Sequence, residues 1–471
     1  MYGFFFFAKQ IPVIHFFLVC LSYGVVLWLL NSKEEPAFII CWLLFLLPFP
    51  IVGGSIFFLL RGQGMSKKEK KSIQNMKNHF QTHLSPLFLE NVQNQEDVQP
   101  QIYFLQTQTA SPAYENTKTT YFASGEEAFP HILSSLKKAK YYIFLEYFLL
   151  AEGVFWEEIL SILKEKSKNG IEVRLIYDDA GCFFSLPKNY PKILETYGIK
   201  AKVFHPLYPV LSTKLNHRDH RKILIIDGTM AITGGINLAD EYINQKKRFG
   251  HWKDSVIMLE GKAVFTMILS FLTMWEYCDG KKENFSKFFP KNMPFFQVTS
   301  LVLPYNNIPL EAIGQQVFLN LITRAKKYIH LTSPYLILDT ACQTALSNAA
   351  KSGIEVMIIT PQIPDKKLVF QVTQAFYPLL QEAGVEIYQY TPGFIHGKTA
   401  VIDGIFATVG TINLDFRSLF LHFENGVWLW NAPCIAHIEE DFQKTLALST
   451  RQEKSKKDLL GSFLRIFSPL M

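Results

Sequence analysis

Two stretches place chemically able residues at matching intervals. In HRDHRKILIIDGTMAITGGIN, residues 217–237, His220 and Lys222 are followed by Asp227, Gly234 and Asn237. In IHGKTAVIDGIFATVGTIN, residues 395–413, the same order returns as His396, Lys398, Asp403, Gly410 and Asn413. An imidazole acts as nucleophile, acid or base near neutral pH, and a lysine beside it supplies fixed positive charge. On a strand, alternate side chains share a face, so His220 and Lys222 point one way, as do His396 and Lys398. Asp227 and Asp403 stand an odd number of residues beyond their histidines and so face away. They are expected to stabilise the strand end and the turns at Gly228 and Gly404 rather than to touch substrate. Asn237 and Asn413, behind Gly-rich turns, can return neutral donors to the same pocket.

A lone histidine on a strand is usually a packing residue; the duplication reverses that expectation. Two histidines, two lysines and two asparagines brought together would surround a phosphate with donors and positive charge. One histidine can then attack phosphorus to give a phosphohistidine. The other can protonate the leaving alkoxide and later deprotonate an incoming hydroxyl. This chemistry requires one neutral and one protonated imidazole. Such imidazoles need a carboxylate on the second ring nitrogen. Candidates stand in matching places downstream of their respective histidines: Asp254 in HWKDSVIML and Glu424 in HFENGVWLW. His217 and His220 form an H-x-x-H, but no acidic set or H-E-x-x-H helix completes a site, so no metal or other cofactor is expected.

The elements that must position these residues also repeat. YYIFLEYFLL (141–150), a helix around 155–168, NGIEVRLIYDD (169–179) and YGIKAKVFH (197–205) precede the first motif. KYIHLTSPYL (327–336), a helix around 340–351, SGIEVMIITP (352–361) and AGVEIYQY (383–390) precede the second. The interval between the histidines is too long for a solenoid repeat and suits a duplicated domain. Alternating strands and helices imply α/β halves, each a mainly parallel sheet covered by helices.

The chain has 471 residues, 49% hydrophobic and only 19% charged, and the apolar excess sits at one end. Gln10 to Ser32 and Pro36 to Leu60 contain no Asp, Glu, Lys or Arg. Each is longer than the about 20 residues that cross a bilayer core, so a two-helix transmembrane hairpin is expected. Arg61, Lys67, Lys68, Lys70 and Lys71 follow the second span, against Lys33 beside Glu34 and Glu35 in the loop. That asymmetry places both termini and the catalytic portion in the cytoplasm. The expected division is a hairpin at 1–61 (helices about 10–32 and 36–60), a connector at 62–118, and two halves at 119–290 and 291–471. The six cysteines, none in a C-x-x-C pair, read as reduced packing residues. A net charge of +6 without a basic, aromatic-interleaved array gives no case for nucleic acid.

The twin HxK(x)4D(x)6GxxN motifs resemble those of the phospholipase D superfamily, over roughly residues 120–471. Within it the chain is similar to bacterial cardiolipin synthases. It shares the N-terminal hairpin, FLEYFLL, HRKILIIDG, GGINLADEY, KRFGHWKDS, TSPYL, GFIHGK, VGTINLDFRSL and the FSPLM terminus. The resemblance implies that the halves meet across a pseudo-twofold and build one site. It implies transfer of a phosphatidyl group from one phosphatidylglycerol to another at an inner-membrane surface. Carried over by motif, His220, Lys222, Asp227, His396, Lys398 and Asp403 are the active-site residues, and relatives suggest His220 as nucleophile. The sequence itself leaves the two histidines equivalent. Gly235 stands where many members have Ser, whereas Thr411 keeps a hydroxyl, so the first half offers phosphate one donor fewer. LPYNNIP (303–309) is also atypical. Rival readings are a membrane-bound phospholipase that transfers to water, a synthase using another donor or alcohol, a nuclease, disfavoured by the hairpin, and an inactive scaffold, disfavoured by two complete motifs.

Overall fold

The computed structural model describes residues 2–32, 36–60, 67–88, 98–207, 217–309, 311–453 and 459–470. Lys33, Glu34, Glu35 and Arg61, which carry part of the orientation argument, lie outside the described residues.

The apolar runs become strands where expected. The first half has β1 (Thr117–Phe122), β2 (Tyr142–Tyr147), β3 (Glu172–Asp178), β4 (Lys200–Phe204), β5 (Lys222–Ile226), β6 (Met230–Gly234), β7 (His251–Lys253) and β8 (Val256–Gly261). The second has β9 (Leu301–Asn307), β10 (Tyr328–Thr332), β11 (Glu355–Pro361), β12 (Glu386–Tyr390), β13 (Gly393–Ile395), β14 (Thr399–Ile402), β15 (Phe406–Gly410), β16 (Glu424–Trp430) and β17 (Ser449–Arg451). Glycine leads into β3, β4, β11 and β12. One sheet runs β1-β8-β6-β5-β2-β3-β4 and the other β9-β16-β15-β14-β10-β11-β12-β17. The orders match strand for strand apart from the added β17, as expected of a duplication.

The expectation of mainly parallel sheets needs correction, because both are mixed. In the first sheet β2, β3 and β4 are parallel to one another, and β5, β6, β8 and β1 run antiparallel to their neighbours. Connection length decides this. Helix Val154–Lys168 carries the chain back from β2 to β3 in a crossover. The tight turn at Asp227-Gly228 instead reverses β5 directly into β6, which can only be antiparallel. Asp403-Gly404 does the same between β14 and β15.

The halves share one apolar core. The helix Val264–Asp279 is buried on nearly every side, and its Phe271 stacks on Phe144 of β2 with ring centroids 4.5 Å apart. That core continues through Leu303 of β9 to Trp428 of β16. Burial at about 25 cal/mol per Å2 makes such a surface the main force joining the halves. Residues 67–88 and 98–118 pack on it too, through Ile73, Met76, Phe80 and Ile102. The expected connector is thus a strap. The tail helix Leu459–Arg465 docks on the domain through Leu464, with Arg465 over the Phe376 ring. All six cysteines are free.

The apolar end departs from two straight spans. Helix α1 covers Tyr2–Leu30, but the second span is broken into α2 (Pro36–Leu46) and α3 (Pro50–Leu60). Pro48 lacks an N–H and disfavours helical backbone at Leu47, and Pro50 suits the first position of a new helix. The three helices pack around Val25, Val26, Leu29, Trp42, Leu46 and Phe57. Glycine permits the fold-back: a methyl on Gly53 would lie 2.3 Å from the Phe45 carbonyl oxygen. At 1.5 Å per residue, eleven residues extend about 16 Å, roughly half a bilayer core. Among the described residues no helix is long and apolar enough to cross a membrane. Helix α2 touches the second half, Phe38 edge-on to Phe416 at 5.9 Å and Phe45 against Phe467 at 5.8 Å.

Candidate active site

Each motif histidine precedes its strand rather than lying within it. His220 sits just before β5, held by His220 N–H donating to the Phe423 carbonyl, 2.9 Å. His396 lies between β13 and β14, its N–H donating to the Lys253 carbonyl, 2.6 Å. Both anchors come from the other half. Since β13 also pairs with β7, residues 251–253 and 393–395 run side by side across the pseudo-twofold. Each motif is therefore bound to the other half at its histidine.

The orienting carboxylates are crossed as well. His220 Nδ1 is 2.9 Å from both oxygens of Glu424, and His396 Nδ1 is 2.7 Å from Asp254 Oδ2. Asp254 and Glu424 do face the two imidazoles, but each serves the histidine of the opposite half. Each is buried. Such a contact fixes the ring and leaves Nε2 toward the pocket.

The two carboxylates are not equivalent. Thr411 Oγ1 donates to Glu424 Oε2 at 2.5 Å and accepts from Asn425 N–H at 2.9 Å. The hydroxyl expected at a phosphate is spent on the orienting acid. At the matching place, Gly235 leaves room for Asp254: a methyl there would stand 1.9 Å from Asp254 Oδ1. Asp254 is held instead by Ser255 N–H at 2.8 Å and Trp252 Nε1 at 3.3 Å. The atypical Gly235 thus accommodates a carboxylate. Burial pushes Glu424 well up, only partly opposed by Lys222. Burial also acts upward on Asp254, but His396 and Lys398 outweigh it and hold it below its ordinary range.

Lys222 Nζ donates to the His220 carbonyl at 2.6 Å, and Lys398 Nζ to that of His396. Each lysine is thereby fixed beside its own histidine. Burial and mutual repulsion pull Lys222 down to about 7; burial brings Lys398 to about 8. Burial, with Lys222, lowers His220 well below its usual value, and burial with Lys398 takes His396 to about 4. These shifts favour two neutral imidazoles rather than one of each form. The groups that shift these values, Lys222, Lys398, His396 and His422 around His220, lie within reach of one another's charge.

Asp227 and Asp403 lie at the strand ends, as their parity requires. Asp227 accepts from the N–H groups of Lys140, Tyr141 and Tyr142 at 2.7–3.0 Å. Asp403 accepts likewise from Lys326, Lys327 and Tyr328 at 2.7–2.8 Å. Both have φ near +55°, at 54° and 56°, and lead into Gly228 and Gly404 at 67° and 68°. They tie each turn to the start of the neighbouring strand. Asn237 is also engaged, accepting from Leu149 N–H at 3.1 Å and donating to Tyr242 Oη at 2.7 Å. Asn413 Oδ1 is buried without a hydrogen-bond partner, so it is the asparagine with capacity to spare.

His422 was not singled out in the sequence, although it stands in the same HFEN as Glu424. Phe423 bridges to Asp219, its side chain in the core, which turns His422 and Glu424 together toward His220. The His422 and His220 rings are 5.7 Å apart. One π-helical turn, Arg417–Leu421, leads into His422 and is held by Asn307 Nδ2 donating to the Ser418 carbonyl at 2.7 Å. The atypical LPYNNIP therefore shapes the site from behind. His217 turns away, its Nδ1 3.0 Å from the Leu421 carbonyl.

Comparison with known proteins follows this geometry. The family described as "Cardiolipin synthase, PLD-like domain" matches residues 132–265 and 318–446, one segment in each half. An uncharacterized protein of Streptococcus mutans is 43% identical over 462 residues, covering 95% of this chain and 100% of its own. A cardiolipin synthase of Halalkalibacterium halodurans is 34% identical over 464 residues, covering 95% of this chain and 91% of its own. Among solved structures, a phosphatidylserine synthase of Haemophilus influenzae shares the fold at a TM-score of 0.59 and 13% identity. That match covers 76% of this chain and 95% of the other.

Proposed function

Because the chain belongs to the cardiolipin synthase family of phosphatidyltransferases, with its two phospholipase D-like halves, we propose that its single site moves a phosphatidyl group from one phosphatidylglycerol to another. The observation that carries this reading is the crossed pairing of His220 with Glu424 and His396 with Asp254. Neither half alone owns an oriented imidazole.

A neutral His220 that donates Nδ1–H to Glu424 keeps its Nε2 lone pair for attack on phosphorus. As the P–N bond forms, the bond from phosphorus to the glycerol oxygen breaks, and His396 delivers a proton to that oxygen. His396, now neutral, takes the hydroxyl proton of the second phosphatidylglycerol. That oxygen attacks phosphorus, the P–N bond breaks, and His220 is restored. The phosphodiester's own negative charge supports the protonated His396 that burial and Lys398 disfavour. Lys222 and Lys398 supply the charge opposite the phosphoryl oxygens, so no metal is called on.

Water is the competing acceptor, and a bilayer location favours lipid by raising its effective concentration. The exposed side of α1, with Phe16, Phe17, Leu27 and Trp28, suits a hydrocarbon environment. Phe183 and Phe184 stand out from a turn tied to Phe148 and Leu150, and Phe148 packs edge-on against His220. Phe184 is 97% exposed, which suits a rim that dips into the membrane surface. Multi-pass insertion with the catalytic halves in the cytoplasm belongs to this proposal. Purified protein given phosphatidylglycerol vesicles in chelator should release glycerol and accumulate cardiolipin. Phosphatidic acid as main product, with cardiolipin at background, would make it a phospholipase.

A further inference from the structure

His422 has no task in the transfer just described, yet both its ring nitrogens are buried without a hydrogen-bond partner. Desolvated donors and acceptors are costly, and those that persist commonly await a ligand. Its surroundings indicate which. Nδ1 of His422 lies 3.5 Å from Glu424 Oε1, and Nδ1 of His220 lies 2.9 Å from the same carboxylate. The ligating atoms of His220, His422 and Glu424 all fall within 4.8 Å of one another, the one such cluster among the described residues. A tetrahedral zinc ion with bonds of about 2.0–2.2 Å holds its ligand atoms roughly 3.4 Å apart. Two imidazoles and a carboxylate are a donor set that divalent zinc takes, with a fourth position left for water. The opposing charges are Lys222 and Lys398 near His220 and Arg417 and Arg218 near His422, and both lysine ammonium groups are turned onto main-chain carbonyls, His220 O and His396 O.

We infer that His220, His422 and Glu424 form an inhibitory site for a late first-row divalent cation such as zinc. The inhibition follows from the chemistry of one ring and rests on His220 being the nucleophile. A neutral imidazole has one N–H and one lone pair. A cation on Nδ1 takes the lone pair there, so the proton sits on Nε2, and the nitrogen that would attack phosphorus has no electrons to offer. His220 keeps its proton, moved from Nδ1 to Nε2. The cation also takes Glu424 from its task of orienting the ring. It blocks the transfer and is no cofactor of it.

The test titrates zinc, and cobalt as a spectroscopic stand-in, into detergent-solubilised full-length protein, alongside turnover of phosphatidylglycerol vesicles. Wild type should bind one equivalent more than His422→Ala, with tetrahedral cobalt absorption that the variant lacks. His422→Ala should raise the zinc concentration that half-inhibits turnover at least tenfold. His422→Gln, which keeps size and polarity without an imidazole, should do the same and guards against a folding failure in the alanine variant. Equal zinc binding and equal inhibition in wild type and both variants would overturn the proposal. Binding lost with His422 but without any inhibition of wild type would overturn the inhibitory part. If wild type binds the extra equivalent yet makes no cardiolipin in chelator, the site stands and the transferase reading fails.

Discussion

At the scale of residues, the crossed carboxylates separate the two histidines that the sequence leaves equivalent. Glu424 serves His220 and Asp254 serves His396. Removing each charge should therefore leave a different kinetic pattern. Glu424→Gln is expected to slow formation of the phosphohistidine by about 100-fold, and Asp254→Asn, which frees the residue that is acid in one step and base in the next, to slow both formation and transfer by a similar factor, as single-turnover kinetics would resolve. Equal effects on both steps by both variants would contradict the assignment. The pH dependence has a sign as well. Lys222 and Lys398, brought to about 7 and about 8, lose their charge as pH rises, so kcat/KM should fall across that range. On the acid side His220, which must be neutral to attack, is held well below its ordinary range by burial and by Lys222, so activity should not be lost near pH 6.5 as an ordinary histidine nucleophile would lose it. Profiles of kcat/KM report free-enzyme values and check both limbs. The histidines, lysines and carboxylates were legible because each motif is local and repeated. The crossing and His422 were not, because the bridge between Asp219 and Phe423 and the pairing of β7 with β13 join segments far apart in the chain.

At the scale of elements, strands were legible from apolar runs, led by glycine at β3, β4, β11 and β12, and β2 to β4 and β10 to β12 fall where those runs are. Strand direction was not, since it depends on whether the connection is a helix or a two-residue turn. The aspartates at those turns show how motif and scaffold divide the work. Resemblance places Asp227 among the active-site residues, whereas in the fold it gathers three main-chain N–H groups at the strand end. Asp227→Ala would leave those donors without their acceptor and should cost about 2–3 kcal/mol. A lowered melting temperature, with the His220 adduct still formed by the folded fraction, is the expected result. Loss of the adduct at unchanged stability would place Asp227 in the chemistry. The break between α2 and α3 was written in LLPFP, two prolines inside an apolar run that was read only for its length.

At the scale of the whole molecule, duplication makes one site from two incomplete halves. Each half supplies a histidine, a lysine and the carboxylate that the other needs, and a shared core holds the halves in register. α2 reaches that core beside the turn leading to His422, so the apolar end and the site form one continuous body. The central claim is that the halves act in sequence on one phosphatidyl group. It is tested most directly by acid-quenching the reaction with labelled phosphatidylglycerol and mapping the label to peptides. Label should appear on the peptide containing His220, form more slowly but persist in His396→Ala, which lacks the acid of the first step and the base of the second, and vanish in His220→Ala. Label on His396 instead, or cardiolipin formed by either single variant at near wild-type rate, would contradict the account.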